Sequence, residues 1–126
     1  MTFEHFALNV PDSRAMAGWY IAHLGFQLAR DVGGPAHTVF LSDDTGRVVV
    51  ELYRNDAAPV TAFEATHPLC FHFAVVSVDA RADRSRLEAA GGRFVEEVTP
   101  PDGSVLIMMR DPWGVPVQLC QRARPF

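Results

Sequence analysis

The sequence repeats itself at an offset of 67 residues, and this repeat restricts the possible folds more than any other feature. The tripeptide His5-Phe6-Ala7 returns as His72-Phe73-Ala74, and Glu51-Leu52 returns as Gln118-Leu119. A repeat of about half the chain indicates two copies of one supersecondary unit. The repeat also places in register four polar side chains of the kind that bind metals: His5, Glu51, His72 and Gln118.

The composition is that of an ordinary folded domain. Of the 126 residues, 48% are hydrophobic and 21% are charged, which indicates neither a disordered chain nor a membrane protein. The net charge of −4 and the pI of about 5.6 argue against nucleic acid or an anionic membrane as a partner. The N-terminus lacks the basic and apolar regions of a signal peptide, and two cysteines are too few for a disulfide scaffold. We therefore expect a cytoplasmic protein.

The first half of the chain predicts one strand, one helix and three further strands. Apolar side chains alternate with others along residues 3–10, as on the two faces of a half-buried strand. Asp12 or Ser13 can cap a helix, and Gly25 ends it. The β-type runs that follow lack a helical period and are separated by turn residues. These runs are residues 26–31, 37–42 and 48–53.

The second half predicts the same order of elements. A strand at 69–78 precedes a charged helix that Asp79 caps and Gly91-Gly92 ends. Strands follow at 93–98, 105–110 and 115–121. We therefore predict a single α+β domain, residues 1–126, of two βαβββ modules, about 1–54 and 69–126, joined by a linker at 55–68. A curved mixed sheet around a pocket is the expected architecture.

The four repeated polar residues are predicted to lie on the face of their sheet that is opposite the helix. The alternation places apolar partners such as Leu8 and Leu52 beneath the helix, so the polar residues point to the face that no helix covers. A carboxylate among apolar strand residues needs a partner, because burial of a lone charge costs several kcal/mol or more. A divalent cation would be such a partner for Glu51. The other residues assigned to the same pocket are Asn9, Tyr53, Cys70 and Cys120.

Less specific interpretations of these residues remain open from the sequence. Glu51 could pair with an arginine, and His5 and His72 could be hydrogen-bonded structural residues. Gln118 could be a pocket amide that binds no metal. The two cysteines could be small apolar packing residues, as buried cysteines usually are.

The chain resembles the vicinal oxygen chelate superfamily, which includes glyoxalase I, ring-cleaving dioxygenases and bleomycin-binding proteins. The resemblance covers nearly the whole chain and depends on the order and spacing of several short motifs. These motifs are His5-Phe6-Ala7-Leu8, Trp19-Tyr20, Leu24-Gly25-Phe26, Val50-Glu51-Leu52, His72-Phe73-Ala74-Val75, Ala89-Ala90-Gly91-Gly92, Arg110-Asp111-Pro112-Trp113-Gly114 and Val117-Gln118-Leu119.

The resemblance to bacterial glyoxalase I implies one divalent ion per site, whether Zn, Ni, Co, Mn or Fe, bound by His5, Glu51, His72 and Gln118. The family has a carboxylate where this chain has Gln118, so Glu51 is the only mapped residue that can act as the catalytic base. The resemblance further implies a homodimer in which sites are shared between chains. It predicts a metal-dependent lyase or isomerase that acts on a small oxygen-bearing substrate. The alternatives are a non-catalytic drug- or metabolite-binding protein and, third, a dioxygenase.

Overall fold

The computed structural model describes residues 1–126, and the chain divides into two compact units, Met1–Thr61 and Ala62–Phe126. Neither unit has a helix with the length and apolar character needed to cross a membrane. Each unit contains one four-stranded mixed sheet and one α-helix. The predicted α+β class and the repeated βαβββ order are therefore confirmed.

In the Met1–Thr61 unit the sheet has the strand order β1-β4-β3-β2, with β1 parallel to β4 and the other pairs antiparallel. Its elements are β1 (Phe6–Asn9), α1 (Ser13–Leu24), β2 (Gln27–Gly33), β3 (Thr38–Ser42) and β4 (Val48–Tyr53). The predicted caps of α1 are correct. The Asp12 carboxylate accepts a hydrogen bond from the Ala15 amide at 2.9 Å, and Gly25 ends the helix at a φ of +77°.

The Ala62–Phe126 unit has the equivalent strand order, β5-β8-β7-β6, with β5 parallel to β8. It begins with a short 3-10 helix, Phe63–Ala65, which lies within the predicted linker. Its further elements are β5 (Phe73–Val76), α2 (Ala80–Ala89), β6 (Arg93–Val98), β7 (Val105–Arg110) and β8 (Pro116–Gln121). The Asp79 carboxylate caps α2 by accepting a hydrogen bond from the Ala82 amide at 3.0 Å.

The strand predicted at 69–78 is wrong at both ends, because β5 spans only Phe73–Val76. The Cys70 amide donates to the His67 carbonyl at 2.8 Å, so the chain turns here and β5 begins only at Phe73. Cys70 is exposed in this turn and does not lie on the strand that was predicted to hold it. Proline at 68 favours such a turn because it provides no backbone N–H for a sheet.

One face of each sheet packs against its helix, and we call the opposite face the open face. In the first unit Leu8, Val50 and Leu52 are buried on the helix side together with Tyr20. In the second unit Ile107, Val117 and Leu119 are buried on the helix side, where Leu87 of α2 also lies. Since side chains alternate along a strand, the residues between these buried positions point to the open face. The core thus determines which side chains can form a site.

Candidate functional site

The first candidate pair, His5 and Glu51, lies on the open face of the Met1–Thr61 unit. Ala7 of β1 is the register partner of Glu51 on β4, and His5 shares the face of Ala7 two residues earlier. His5 Nε2 lies 3.2 Å from Glu51 Oε2. Both side chains are about a quarter exposed, at 23% and 22%, so solvent or a ligand can reach the pair. The pair is an imidazole nitrogen and a carboxylate oxygen directed at each other.

The surroundings of His5 are acidic and aromatic. The Glu4 carboxylate contacts His5 Nδ1, but the two do not align as a hydrogen bond, and Nδ1 is buried without a hydrogen-bond partner. The Phe40 ring packs against the imidazole nearly edge-on, with 5.5 Å between ring centroids. The imidazole ring therefore has a carboxylate beside each of its two nitrogens. Sequence alternation did not identify Glu4, because it assigned neighbouring residues to opposite faces.

The second candidate pair, His72 and Gln118, occupies the equivalent positions in the Ala62–Phe126 unit. Ala74 of β5 is the register partner of Gln118 on β8. His72 Nδ1 lies 2.9 Å from the Pro68 carbonyl oxygen. A carbonyl can only accept, so Nδ1 carries the proton and Nε2 of a neutral ring keeps its lone pair. This is the tautomer that an Nε2 metal ligand requires, and a backbone carbonyl is a usual partner for such a ring.

The Gln118 amide oxygen has a thiol partner. Cys120 Sγ donates to Gln118 Oε1 at 3.3 Å, between two side chains on the same face of β8. Burial raises the pKa of the Cys120 thiol, an effect that the charge of Arg122 partly opposes. The thiol is therefore neutral at pH 7 and suited to donate. Gln118 Oε1 keeps capacity for a second partner because a carbonyl oxygen has two lone pairs.

The residues assigned to substrate binding have different surroundings. The Asn9 side-chain amide donates to the carbonyls of Asn55 and Ala58, at 2.9 and 3.1 Å, and accepts from the Asn55 amide at 2.9 Å. It therefore holds the segment after β4. Tyr53 is half-buried at the end of β4, opposite Asn9 in register. Cys120 is buried, and Cys70 is exposed in its turn.

The donor set has the chemistry of a divalent-metal site, divided into one pair per unit. Each unit contributes one imidazole nitrogen and one side-chain oxygen, and two histidines with a carboxylate and an amide suit a borderline cation such as Zn²⁺ or Ni²⁺. No three His, Cys, Asp or Glu side chains in the chain form a cluster that could hold a metal.

Comparison with known proteins gives the family. The model of the Glyoxalase/Bleomycin resistance protein/Dioxygenase superfamily matches residues 2–119. No curated protein sequence matches the chain.

Solved structures give matches over almost the whole chain. The protein SMU.1112c is 25% identical, with a TM-score of 0.71 and coverage of 95% of this chain and 98% of that chain. A glyoxalase I variant from Zea mays is 25% identical with a TM-score of 0.73, and the match covers 96% of this chain but 45% of the maize chain. A glyoxalase family protein from Enterococcus faecalis is 20% identical with a TM-score of 0.70, and the coverage is 94% and 96%. From the match over residues 2–119, the chain belongs to the Glyoxalase/Bleomycin resistance protein/Dioxygenase superfamily.

Proposed function

We propose that this protein is a divalent-metal-dependent enzyme of the glyoxalase type, a lyase or isomerase acting on a small oxygen-bearing substrate. The observation that carries the proposal is the half-buried pair of His5 Nε2 and Glu51 Oε2, 3.2 Å apart on the open face of its sheet. A carboxylate in this position has no arginine partner among the ion pairs of the chain. The arginine pairing that was open from the sequence therefore loses support.

The metal would be held by His5, Glu51, His72 and Gln118. A bound divalent ion supplies Lewis-acid stabilisation of negative charge on a substrate oxygen. With neutral histidines and one carboxylate, the donors leave a net charge of about +1 on the ion. Such a site attracts a substrate that presents an anionic or enolate-like oxygen. Pro68 takes part by holding His72 in the required tautomer.

Glu51 would move the proton in this reaction. Gln118 cannot accept a proton at neutral pH, so the Glu51 carboxylate is the base among the four residues. Phe40 shields one side of His5, and the limited exposure of Glu51 restricts water around the carboxylate.

Metal binding tests the proposal directly. Chelator-treated protein would be titrated with Zn²⁺, Ni²⁺, Co²⁺, Mn²⁺ and Fe²⁺ by calorimetry, anaerobically for iron, and the bound metal measured after dialysis. We expect about one ion per chain, and Glu51→Gln should lower the affinity at least tenfold because it removes the only carboxylate of the set. Asp44→Asn removes the same charge from an exposed residue in the turn between β3 and β4, so it is the control and should change nothing. Equal affinity in the Glu51 and Asp44 variants would contradict the proposal.

A non-catalytic binding protein is the second candidate, and Gln118 favours it. Its amide already has a hydrogen-bonding thiol partner, and it replaces the second carboxylate that the resemblance to glyoxalase I requires. In this case the open face holds a drug or metabolite without proton transfer. Metal-loaded protein that binds an oxygen-bearing ligand but does not exchange its α-proton with deuterium would favour the binding function. A dioxygenase remains third, because its carboxylate ligand is missing.

A further inference from the structure

A cavity beside β5 and the end of β8, in the Ala62–Phe126 unit, has none of the four proposed metal ligands in its lining. Its volume is about 650 Å³, within the range of small-molecule sites. The residues that matter here are Ala74, Val76, Val78, Cys120, Arg122 and Phe126, all of which line it. Val76 and Val78 are 90% and 93% exposed, so two large apolar side chains face solvent at the cavity wall. An occupant with an apolar body would cover them.

Arg122 gives the cavity a charge. Four other arginines of the unit form ion pairs with carboxylates, and Arg110 donates to three backbone carbonyls. Arg122 has no ion pair, and its guanidinium carbon lies 4.3 Å from the centroid of the Phe126 ring. Stacking on an aromatic ring fixes the plane of a guanidinium and leaves its N–H edge available to an anion.

The nearby acidic groups leave this position open to an anion. Asp102 is close enough for Arg122 to lower its pKa slightly, but its oxygens accept hydrogen bonds from the Ser104 amide and hydroxyl. The cavity therefore combines apolar walls with one guanidinium that has no carboxylate partner.

We propose that this cavity binds an amphipathic organic carboxylate, with its carboxylate on Arg122 and its apolar body along Ala74, Val76 and Val78. A carboxylate fits because a guanidinium offers two parallel N–H donors to two oxygens. The position of Arg122 relative to Gln118 also indicates a class of substrate. Arg122 follows Gln118 by four residues, and Arg122 comes directly after the last residue of β8, about 13 Å from Gln118 along an extended chain. If the function proposed above holds, the substrate is a carboxylic acid whose reacting oxygens lie roughly that far from its carboxylate.

The test uses full-length protein freed of metal by chelation, so it does not depend on the metal site. Octanoate and octanamide share one apolar body and differ in charge, and both would be titrated by calorimetry. We expect octanoate to bind in a 1:1 ratio and at least about tenfold more tightly than octanamide. Equal affinities, or no octanoate binding at millimolar concentration, would overturn the proposal while leaving metal binding untouched.

Variants locate the binding. Arg122→Gln should remove the preference for octanoate, whereas Arg124→Gln, an exposed arginine outside the cavity, should keep it. Val76→Asp should weaken octanoate binding by repulsion, and because Val76 is exposed the variant should fold, as circular dichroism would check. An equal loss in the Arg122 and Arg124 variants would show attraction by net charge alone and would refute a site at Arg122.

Discussion

At the scale of single residues, Gln118 separates this chain most clearly from the glyoxalase I pattern. An amide oxygen can bind a cation, but it brings no charge and takes no proton. Its thiol partner, Cys120, is neutral and could donate equally well to a carboxylate at the same position. The site could therefore accept the family's carboxylate with one substitution.

We predict that Gln118→Glu raises metal affinity by about tenfold or more, because a carboxylate neutralises a divalent ion better than an amide. Calorimetric titration of both proteins measures this. Gln27→Glu, which adds the same charge at an exposed position of β2, should leave metal affinity unchanged. If Gln118→Glu only lowers the melting temperature, Gln118 is a pocket amide and leaves the ligand set.

The sequence predicts which face of a sheet a side chain occupies better than it predicts the hydrogen-bond partners of that side chain. His5, Glu51 and Gln118 could be assigned to the open face because apolar neighbours alternate with them along the strands. The carbonyl of Pro68 beside His72 could not be predicted, since any residue offers a carbonyl and the turn brings it within reach. The bonds of Asn9 to residues 55–58 could not be predicted for the same reason, because they depend on a loop path.

At the scale of elements, local chemistry explains which boundaries could be predicted. Asp12, Asp79 and Gly25 marked helix ends because a cap is a property of one residue and its near neighbours. The start of β5 was predicted too early because Leu69, Cys70 and Phe71 are apolar enough for a strand. The turn there is held by the hydrogen bond from Cys70 to His67, which an apolar pattern does not reveal.

The turn before β8 requires glycine at Gly114 for a steric reason. Gly103, which has the same φ, is a control for backbone strain alone. Gly103 and Gly114 both have a φ of +86°, but only a Cβ at Gly114 would meet other atoms, including the Glu64 amide nitrogen at 2.9 Å. Gly103→Ala should therefore cost only the backbone strain, about 1–2 kcal/mol. Gly114→Ala should lower the free energy of unfolding clearly more, because the backbone of the 3-10 helix must also move. Urea unfolding of both variants measures the difference, and equal losses would contradict the steric argument.

The 3-10 helix Phe63–Ala65 is linked to β6 by an ion pair between Glu64 and Arg93, and the contribution of this pair to stability depends on pH. Glu64 accepts two hydrogen bonds from Arg93, which lower the pKa of Glu64 below its ordinary value of 4.5. A lowered folded-state pKa means that the pair stabilises the fold above about pH 4.5 and is lost as the pH falls through the folded-state pKa. Arg93→Gln should therefore destabilise the protein at pH 7, and the difference from the parent should shrink towards pH 3.

Unfolding curves at several pH values test this attachment. Arg30→Gln removes an exposed arginine without an ion pair and should give a difference that does not vary with pH. Both side chains of the Arg93–Glu64 pair are more than half exposed, so added salt should also reduce the effect of Arg93→Gln. A difference that stays constant down to pH 3 would mean that Arg93 acts through packing alone.

At the scale of the whole molecule, the repeat gives each unit half of the proposed site. One unit holds His5 and Glu51, and the other holds His72 and Gln118, so a complete set needs one unit of each kind. The two units can come from one chain or from the two chains of a homodimer. We propose the second arrangement, since the resemblance to glyoxalase I implies a homodimer with shared sites.

Subunit mixing distinguishes the two arrangements. His5→Ala and His72→Ala should each lose metal binding as homodimers. In a shared arrangement, a mixed dimer has one site with both substitutions and one with neither, so random pairing should restore about a quarter of all sites. Native mass spectrometry would show that subunits have exchanged, and calorimetry would count the sites. If exchange is complete and no sites return, each site lies within one chain, because every site then retains one damaged ligand.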